Sequence, residues 1–488
     1  MVESVMTGGS PTNSLPKRIV ILGGGFGGVY AAIHLEKLLG RNDAVEICLV
    51  SYNNYFLFTP MLHEVAASDL EMTNIVNPLR KLLHKVEIAV GEVTEIDLAN
   101  RRVSIVHGYR NDNRALEYDH LVLALGSVTN FYDIPGLADL AIPMKSLHDA
   151  TRLRAHVLRN LEEANSNVTD RSSLLTFVVA GGGFAGVETV AALNDFVREA
   201  LPFYPNLREN MLRVILVHSG PVLLPELGED LGRYTQMVLS RRGVIIRLNS
   251  RVRSVSENSV FVAHRIPIAC STLVWTAGTM PSPIIASLPC AKERGRVVVN
   301  QSLRLLDWPN IWAVGDCAFV PDIRNPGKAH PPTAQHAIRE GRLVAQNIAA
   351  TLSARPLKAF SFRTVALLAS IGRRTGVARI LGFNISGFFA WWMWRTIYLS
   401  KLPGLDKKVR VAFDWTLDLL FPKDVCAVHE VSDRRDSAYR RGSSKAGRDG
   451  SRQLRTRQAF NSNVSNGLSD GETLRRGPDI SGSMQIAR

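Results

Sequence analysis

The sequence predicts an α/β fold made of two nested domains and a helical C-terminal region, and three observations lead to this prediction. Short apolar runs, typical of buried strands, alternate with stretches of helical pattern along most of the chain. One type of glycine-rich turn occurs twice, each time after such a run. Later apolar runs end in Gly126, in Gly278 and in Gly315-Asp316, which is the order expected if one domain is inserted into the other.

Each glycine-rich turn joins an apolar run to a helical pattern with the spacing Gly-x-Gly-x-x-Gly. The glycines are Gly23, Gly25 and Gly28 in the first turn and Gly181, Gly183 and Gly186 in the second. In this fingerprint of Rossmann-like dinucleotide-binding domains, the first glycine permits a sharp turn and the second permits close approach of a pyrophosphate. The third lets the helix pack on the sheet, and the helix N-terminus attracts the phosphates. Two copies predict two nucleotide cofactors held side by side, an arrangement that indicates electron transfer.

The strand that follows each fingerprint ends without the acidic residue that usually binds the adenosine ribose. The first of these strands, Val45–Val50, ends in Ser51, whereas the second, Arg213–Val217, ends in His218-Ser219. A serine can still bond a ribose hydroxyl, so Ser51 is a candidate cofactor-binding residue. Without a carboxylate at His218, rejection of a 2′-phosphate is weaker, and the choice between NADH and NADPH stays open.

Further strands and one long helix are predicted between these motifs. Strands at Val86–Val93 and Arg102–Val106 follow the first unit, and the buried strand Tyr118–Gly126 comes next. A helix at Leu147–Ala164 opens the second unit, which ends with the strand Thr272–Gly278. The polar segment 1–16 has no apolar core of a secretory signal and is predicted to be disordered.

Composition limits the classes of protein that the chain can belong to. The 488 residues suit two or three domains, and the formal net charge of +14 favours an anionic partner surface, either nucleic acid or phospholipid. The five cysteines form no Cys-x-x-Cys pair, so neither a redox disulfide nor a zinc site is indicated. No run reaches the roughly 18 apolar residues that a membrane-spanning helix needs.

The chain changes character after residue 358. Phe388–Leu399 is dense in aromatic residues, and Val409–Phe421 has a helical pattern. One face of that helix carries Arg410, Asp414 and Asp418, and the other carries Val411, Trp415 and Leu419. Aromatic residues with basic neighbours suit the lipid–water interface. The alternatives are a dimer interface or an ordinary docking helix, and the two acids count mildly against a membrane.

Several segments together resemble the type II NADH dehydrogenases, which are FAD-containing NADH:quinone oxidoreductases that pump no protons. The resemblance covers roughly residues 17–425. The matching segments are Gly23–Gly28, Tyr55–Leu62, Gly181–Glu188, Ala200–Asn206, Val274–Gly278, Trp312–Asp316, Pro331–Gly341 and Ala390–Arg395. It implies an FAD-binding domain in two parts, a membrane-associating region and a disordered basic tail. The predicted boundaries are 17–143 and 281–357 for FAD, 144–280 for NAD(P)H, 358–425 for the membrane region and 431–488 for the tail.

The resemblance also implies roles for individual residues. Non-covalent FAD would lie on the first fingerprint and near Gly315 and Asp316, while NADH would lie on the second fingerprint. Gly126, Gly278 and Ala334 are further candidate cofactor-binding residues. Glu188, near the nicotinamide–flavin contact, and Gln335, in the quinone pocket, are the candidate catalytic residues. His336 is expected to be structural, and no metal is expected.

The function implied is hydride transfer from NADH to FAD, followed by transfer of two electrons to a membrane quinone. The expected partners are a quinone, an anionic membrane surface and a second copy of the chain in a homodimer, with no specific nucleic acid. The expected location is peripheral, on the cytoplasmic face of the cell membrane. Three alternatives stay open: a soluble NAD(P)H–flavin reductase, a sulfide:quinone oxidoreductase-like enzyme, and a nucleotide-sensing regulator whose basic tail binds nucleic acid.

Overall fold

Both fingerprints fold as strand, glycine turn and helix in the computed structural model, which describes residues 16–108, 112–166 and 169–426. The predicted disordered segments 1–16, apart from Pro16, and 431–488 lie outside the described residues. In the first segment the elements are β1 (Lys17–Leu22), α1 (Phe26–Leu39), β2 (Val45–Ser51), β3 (Tyr55–Leu57), α2 (Leu62–Ala66), β4 (Val76–Pro78), α3 (Leu79–Leu82), β5 (Glu87–Asp97), β6 (Arg102–His107), β7 (Asp112–Glu117), β8 (His120–Leu123), β9 (Ser127–Thr129) and α4 (Leu137–Leu140).

The second segment begins with a strand at Ile142, two residues before the predicted boundary. Its elements are β10 (Ile142–Pro143), α5 (Leu147–Ser166), α6 (Arg171–Leu174), β11 (Thr176–Ala180), α7 (Phe184–Ala200), β12 (Arg213–Val217), α8 (Glu229–Arg241), β13 (Val244–Arg247), β14 (Val252–Ser256), β15 (Ser259–Val262), β16 (Ile268–Ala269) and β17 (Thr272–Trp275).

The third segment returns to the first sheet and then forms the C-terminal region. Its elements are β18 (Thr279–Pro281), β19 (Lys292–Glu293), β20 (Arg296–Val298), β21 (Ile311–Ala313), β22 (Ala318–Phe319), α9 (Ala334–Leu352), β23 (Ala366–Ser370), β24 (Gly376–Ile380), β25 (Phe383–Gly387), α10 (Phe388–Lys401) and α11 (Leu405–Leu420).

The first sheet has the strand order β21-β8-β1-β2-β5-β6-β7. The strands from β21 to β5 are parallel, whereas β6 and β7 return antiparallel. The strand β21 comes from the third segment, so the chain leaves this sheet and rejoins it. Helix α9 packs on α1 where Gly341 lies against the backbone of Gly27, a contact that leaves no room for a side chain at Gly341.

The second sheet is fully parallel, in the order β10-β17-β11-β12-β13. Its central strands, β17, β11 and β12, are buried on both faces, with α7 on one side and the antiparallel sheet β14-β15-β16 on the other. The two chain crossings between the units, β9 and β18, pair antiparallel with each other. The predicted α/β fold with nested Rossmann-like domains is therefore confirmed.

The C-terminal region contains a three-stranded antiparallel sheet, β23-β24-β25, which the sequence analysis did not predict. These strands are five residues each, too short for their alternation to be distinguished from loop sequence. Helices α10 and α11 follow. Among the described residues, no helix combines the length and the apolar character that crossing a membrane requires.

Candidate active site

In the first fingerprint, Gly25 has free space where a side chain would be, whereas Gly23 and Gly28 have none. Gly23 has a φ of +113°, and its N–H donates to the Val50 carbonyl at 2.8 Å. A side chain at Gly23 would collide with the Ala124 carbonyl, and one at Gly28 would collide with the Gly23 carbonyl. At Gly25, the residue before α1, an added Cβ would meet no atom within 4 Å. This space at a helix N-terminus fits the diphosphate of a dinucleotide.

The second glycine turn repeats this geometry. Gly181 has a φ of +127°, and a side chain there would collide with the Thr276 hydroxyl. A side chain at Gly186 would collide with the Gly181 carbonyl. Gly183 again precedes a helix and faces space that is open for at least 4 Å. The chain thus has two diphosphate cradles of the same construction, one in each unit.

Ser51 and His218, at the carboxyl ends of β2 and β12, contact the glycine turns directly. Ser51 is buried, and its hydroxyl donates to the Asn53 carbonyl at 2.7 Å. It can therefore meet a ribose hydroxyl only as an acceptor. His218 is half-buried, and its Nδ1 accepts the Gly182 N–H at 3.1 Å. Burial lowers the pKa of His218, which favours the neutral ring that this hydrogen bond needs.

The glycines that end β8 and β17 lie beside the two chain crossings. Gly126 has a φ of +64°, and a Cβ there would meet no atom within 4 Å. Gly278 is different, because the ring of Tyr132 packs directly on it and would collide with any side chain. The Gly278 carbonyl accepts the Asn130 N–H at 3.0 Å. Tyr132 and the next residue, Asp133, both have positive φ, so this covering loop is held in an unfavourable backbone conformation. The sequence analysis did not single out Tyr132.

The Gly315-Asp316 turn is held from three sides. The Gly315 N–H donates to Oε2 of buried Glu340 at 2.7 Å, and burial raises the pKa of Glu340 to about 7. Asp316 accepts a hydrogen bond from the Ser127 hydroxyl at 2.6 Å. The Lys145 ammonium donates to that same hydroxyl at 2.8 Å and lies 3.6 Å from Asp316. Glu340 and Lys145 are positioning residues that sequence reasoning missed, because their partners are distant in the chain.

The N-terminus of α9 lies between this turn and the C-terminal sheet. Ala334 is the first residue of the helix and is half-buried. The Gln335 amide donates from Nε2 to the Ala366 carbonyl of β23 at 2.8 Å, so this side chain connects α9 to the C-terminal region. His336 is buried, and its Nδ1 lies 2.8 Å from the Thr333 hydroxyl at the start of the helix.

Glu188 connects the second cradle to the C-terminal region. It lies in the second turn of α7 and is buried. Its Oε1 accepts the Ser370 N–H at 3.1 Å and the Trp394 indole N–H at 3.0 Å, while Oε2 lies 4.0 Å from Nδ1 of His63. Burial raises the pKa of Glu188 to about 8 and lowers that of His63 to about 3. Both groups are therefore neutral near pH 7.

Glu188 and His63 line a polar cavity of about 40 Å³ that is partly open to solvent and can hold a few water molecules. Glu64 lines it as well, accepts the Trp415 indole N–H at 3.2 Å and has a pKa raised to about 8 by burial. The guanidinium of Arg395 lies over the rings of Trp391 and Trp415. Sequence reasoning identified Glu188 here but not its neighbours, which come from α2, α10 and α11.

The two cradles, with the crossings between them, define the class of two-dinucleotide oxidoreductases, and comparisons with known proteins agree. Residues 17–341 match the family model of the pyridine nucleotide-disulphide oxidoreductases, and residues 367–424 match the NDH2 C-terminal domain. The chain is 33% identical over 435 residues to the type II NADH:quinone oxidoreductase Ndh of Mycobacterium tuberculosis, covering 84% of this chain and 90% of that one. It is 30% identical over 419 residues to a probable NADH dehydrogenase of Dictyostelium discoideum, covering 84% and 91%.

Among solved structures, NDH2 from Plasmodium falciparum in complex with NADH is similar to this chain, with a TM-score of 0.77 at 20% identity. The match covers 84% of this chain and 99% of that one. The sulfide:quinone oxidoreductase of Aquifex aeolicus shares the fold, with a TM-score of 0.64 at 19% identity over 85% and 96% of the two chains. The chain belongs to the type II NADH:quinone oxidoreductase family.

Family membership confirms the predicted enzyme class, NADH:quinone oxidoreductase, over the three alternatives. It implies a flavin and NADH as the redox groups and a quinone as the acceptor. The cysteines agree with this outcome, since all five are free. The cysteine next to the Gly315-Asp316 turn, Cys317, is fully buried, and burial raises its pKa to about 12. Such a thiol does not provide the reactive thiolate that sulfide chemistry needs.

Proposed function

We propose that this chain holds FAD in the first cradle and NADH in the second, and that it carries electrons from NADH to a quinone at a membrane surface. The observation that carries the proposal is the pair of open positions, Gly25 and Gly183, each at a helix N-terminus after a buried strand. Bound FAD would accept a hydride from NADH and deliver two electrons to the quinone.

The residues around the first cradle fit FAD. The N–H groups of the first turn of α1, which begins directly after Gly25, would hold the diphosphate. Ser51 offers an acceptor for a ribose hydroxyl, and the space above Gly126 admits a close approach of the ligand. Asp316 would meet the ribityl region, held in place by Ser127 and Lys145.

Two side chains are proposed to serve the reaction directly. Glu188 holds a proton near neutral pH, and because Oε1 already accepts two hydrogen bonds, the proton belongs on Oε2, beside His63. Quinone reduction consumes two protons, so a buried protonated carboxyl suits this site. Gln335 is proposed to line the quinone pocket from the N-terminus of α9, next to Ala334.

Replacement of Gln335 tests the pocket and the overall activity together. In Gln335→Ala, reoxidation of the flavin by a quinone analogue is expected to slow by about tenfold or more, because a group that orients the acceptor is lost. Flavin reduction by NADH should stay close to the wild-type rate. Stopped-flow absorbance under anaerobic conditions measures the two half-reactions separately. Gln346→Ala, on the same helix, is the matched control, and equal slowing of both half-reactions would refute the pocket assignment.

The apolar side chains of the predicted membrane-associating region divide between the protein core and the surface. The predicted apolar face of α11 is largely buried, since Val411 and Trp415 pack into the body. The predicted polar face also contacts protein, because Asp414 accepts a hydrogen bond from the Asn74 amide at 2.6 Å and Asp418 lies 4.0 Å from Arg395. The two acids therefore do not oppose membrane binding.

A second apolar surface is exposed on α10 and α11, and we define it as the exposed face. Its members are large apolar side chains: Phe388, Phe389, Trp392, Leu405, Val409, Phe413, Leu420 and Phe421. Exposed apolar side chains of this size and number on two successive helices indicate an interaction surface. Arg410 and Lys401 are exposed at its edges, and such basic neighbours favour anionic lipid headgroups.

Removal of two aromatic rings from the exposed face is expected to weaken membrane binding. In a Phe389→Ser, Phe413→Ser double variant, the affinity for phosphatidylglycerol vesicles should fall by about tenfold or more, because each buried ring contributes roughly 2 kcal/mol. Vesicle co-sedimentation measures the affinity, and turnover with a water-soluble quinone analogue should be unchanged. Phe203→Ser, at an exposed phenylalanine on the second unit, is the control. Unchanged vesicle binding in the double variant would exclude this surface.

The homodimer and the cytoplasmic face of the cell membrane are proposals that rest on family resemblance. Light scattering of the purified protein tests the first proposal. Protease accessibility in inverted membrane vesicles, compared with intact cells, tests the second.

A further inference from the structure

The carboxyl end of β12 carries His218 at the position where an acidic residue would bind the adenosine ribose of NADH. The imidazole packs on Gly182 and Gly220 and is tied to the cradle by the hydrogen bond to Nδ1. The acidic group that acts on this ring is Glu226, which is exposed on a neighbouring turn. Among the described residues, the end of β12 itself therefore carries no carboxylate, and Glu226 reaches the ring only from the neighbouring turn.

Positive charge gathers around the same strand end. Arg247 ends β13 opposite Val217, and its carbonyl accepts the His218 N–H at 2.9 Å. Arg265 donates from Nε to the Ser250 hydroxyl at 3.0 Å, and the Ser250 N–H donates to the His218 carbonyl at 2.8 Å. Both arginines are thus anchored to the backbone that carries His218.

These arginines repel each other rather than meeting acids. Partial burial, together with the charges of Arg265 and Arg213, lowers the pKa of Arg247. Within residues 16–108, 112–166 and 169–426, neither Arg247 nor Arg265 lies within ion-pair distance of a carboxylate. Guanidinium groups without an acid partner, on residues whose backbone or side chain bonds to the segment next to His218, suit an incoming phosphate.

We propose that the second cradle accepts NADPH as well as NADH, with the 2′-phosphate received by Arg247 and Arg265 beside His218. The inference deepens the proposed function and rests on it. NADPH would give up one hydride, which carries two electrons and one proton. The quinone would take those two electrons, that proton and a second proton from water, leaving NADP⁺ and quinol. The enzyme is then an NAD(P)H:quinone oxidoreductase.

The test compares the two donors on the purified, flavin-containing enzyme with a water-soluble quinone analogue. The expected kcat/KM for NADPH lies within about tenfold of that for NADH, and the KM for NADPH alone rises steeply with salt, as a contact to a charged phosphate requires. Equilibrium binding of NADP⁺ and NAD⁺, measured by calorimetry, gives a readout that is independent of turnover. If NADP⁺ binds about a thousandfold more weakly than NAD⁺, the inference is overturned.

Three variants test which residues determine the binding of NADP⁺ relative to NAD⁺. Arg247→Gln and Arg265→Gln are each expected to weaken NADP⁺ binding by about tenfold and to leave NAD⁺ binding unchanged, because each removes one phosphate contact. His218→Glu should weaken NADP⁺ binding by charge repulsion, which adds a test of the same position from the opposite charge. Arg241→Gln, at an exposed arginine that ends α8, is the control. Equal losses for both nucleotides would contradict the assignment. A flavin-loaded enzyme that oxidises neither donor would instead refute the proposed function.

Discussion

Gly25→Val is expected to yield a folded protein that lacks flavin, whereas Gly183→Val is expected to yield a flavin-containing protein that binds NADH poorly. Both glycines have ordinary negative φ values, −84° and −81°, so valine introduces no backbone strain. An added Cβ meets no protein atom within 4 Å at either position. The fold should therefore tolerate both changes, and only a ligand that approaches the backbone there would be displaced.

The expected effects are large because the whole diphosphate contact is lost. Flavin absorbance of purified Gly25→Val should fall below about a tenth of the wild-type value, and the KM for NADH of Gly183→Val should rise by about tenfold or more. Each variant is the matched control for the other. Gly28→Ala, which places a methyl group against the Gly23 carbonyl, should instead impair folding. Flavin loss from Gly183→Val with retention in Gly25→Val would reverse the assignment of the two cradles.

Glu188→Gln is expected to stabilise the protein at pH 8 much more than at pH 5.5. The folded state raises the pKa of Glu188 from 4.5 to about 8, so between these values the native protein keeps a proton that the unfolded chain releases. This contribution to stability is complete below pH 4.5 and is lost as the pH rises through about 8. Glutamine has the shape of the protonated acid but does not titrate.

The wild-type free energy of unfolding should therefore fall with pH across this window, and the variant should lose part of that slope. Between pH 5.5 and 8 the difference between the two proteins should grow by about 2 to 3 kcal/mol. Denaturant unfolding at both pH values measures it. Glu92→Gln, at an exposed residue of β5, should show no such difference. If Glu188→Gln is equally stable relative to wild type at both pH values, Glu188 is ionised in the native state.

The local architecture could be predicted because it depends on neighbours in the chain. The helix expected at Leu147–Ala164 is observed at Leu147–Ser166, and the strand expected at Arg102–Val106 is observed at Arg102–His107. The glycine turns were identifiable because their spacing follows from backbone sterics. The nested order could also be predicted, from the order of the apolar runs that end in glycine. The structure agrees, because the runs that end near Gly126 and Gly315 form neighbouring strands of one sheet.

The amino-acid sequence by itself determined the two cradles, the α/β class and the family, because strand length, turn geometry and helix start are local properties of the backbone. Only the tertiary structure decided what surrounds the cradles. It brought Trp394 and Ser370 to Glu188, placed Lys145 beside Asp316 and turned a second apolar face of α11 outward. These contacts join residues more than 100 positions apart. Their energies come from burial and from hydrogen bonds that exist only once the units have packed together.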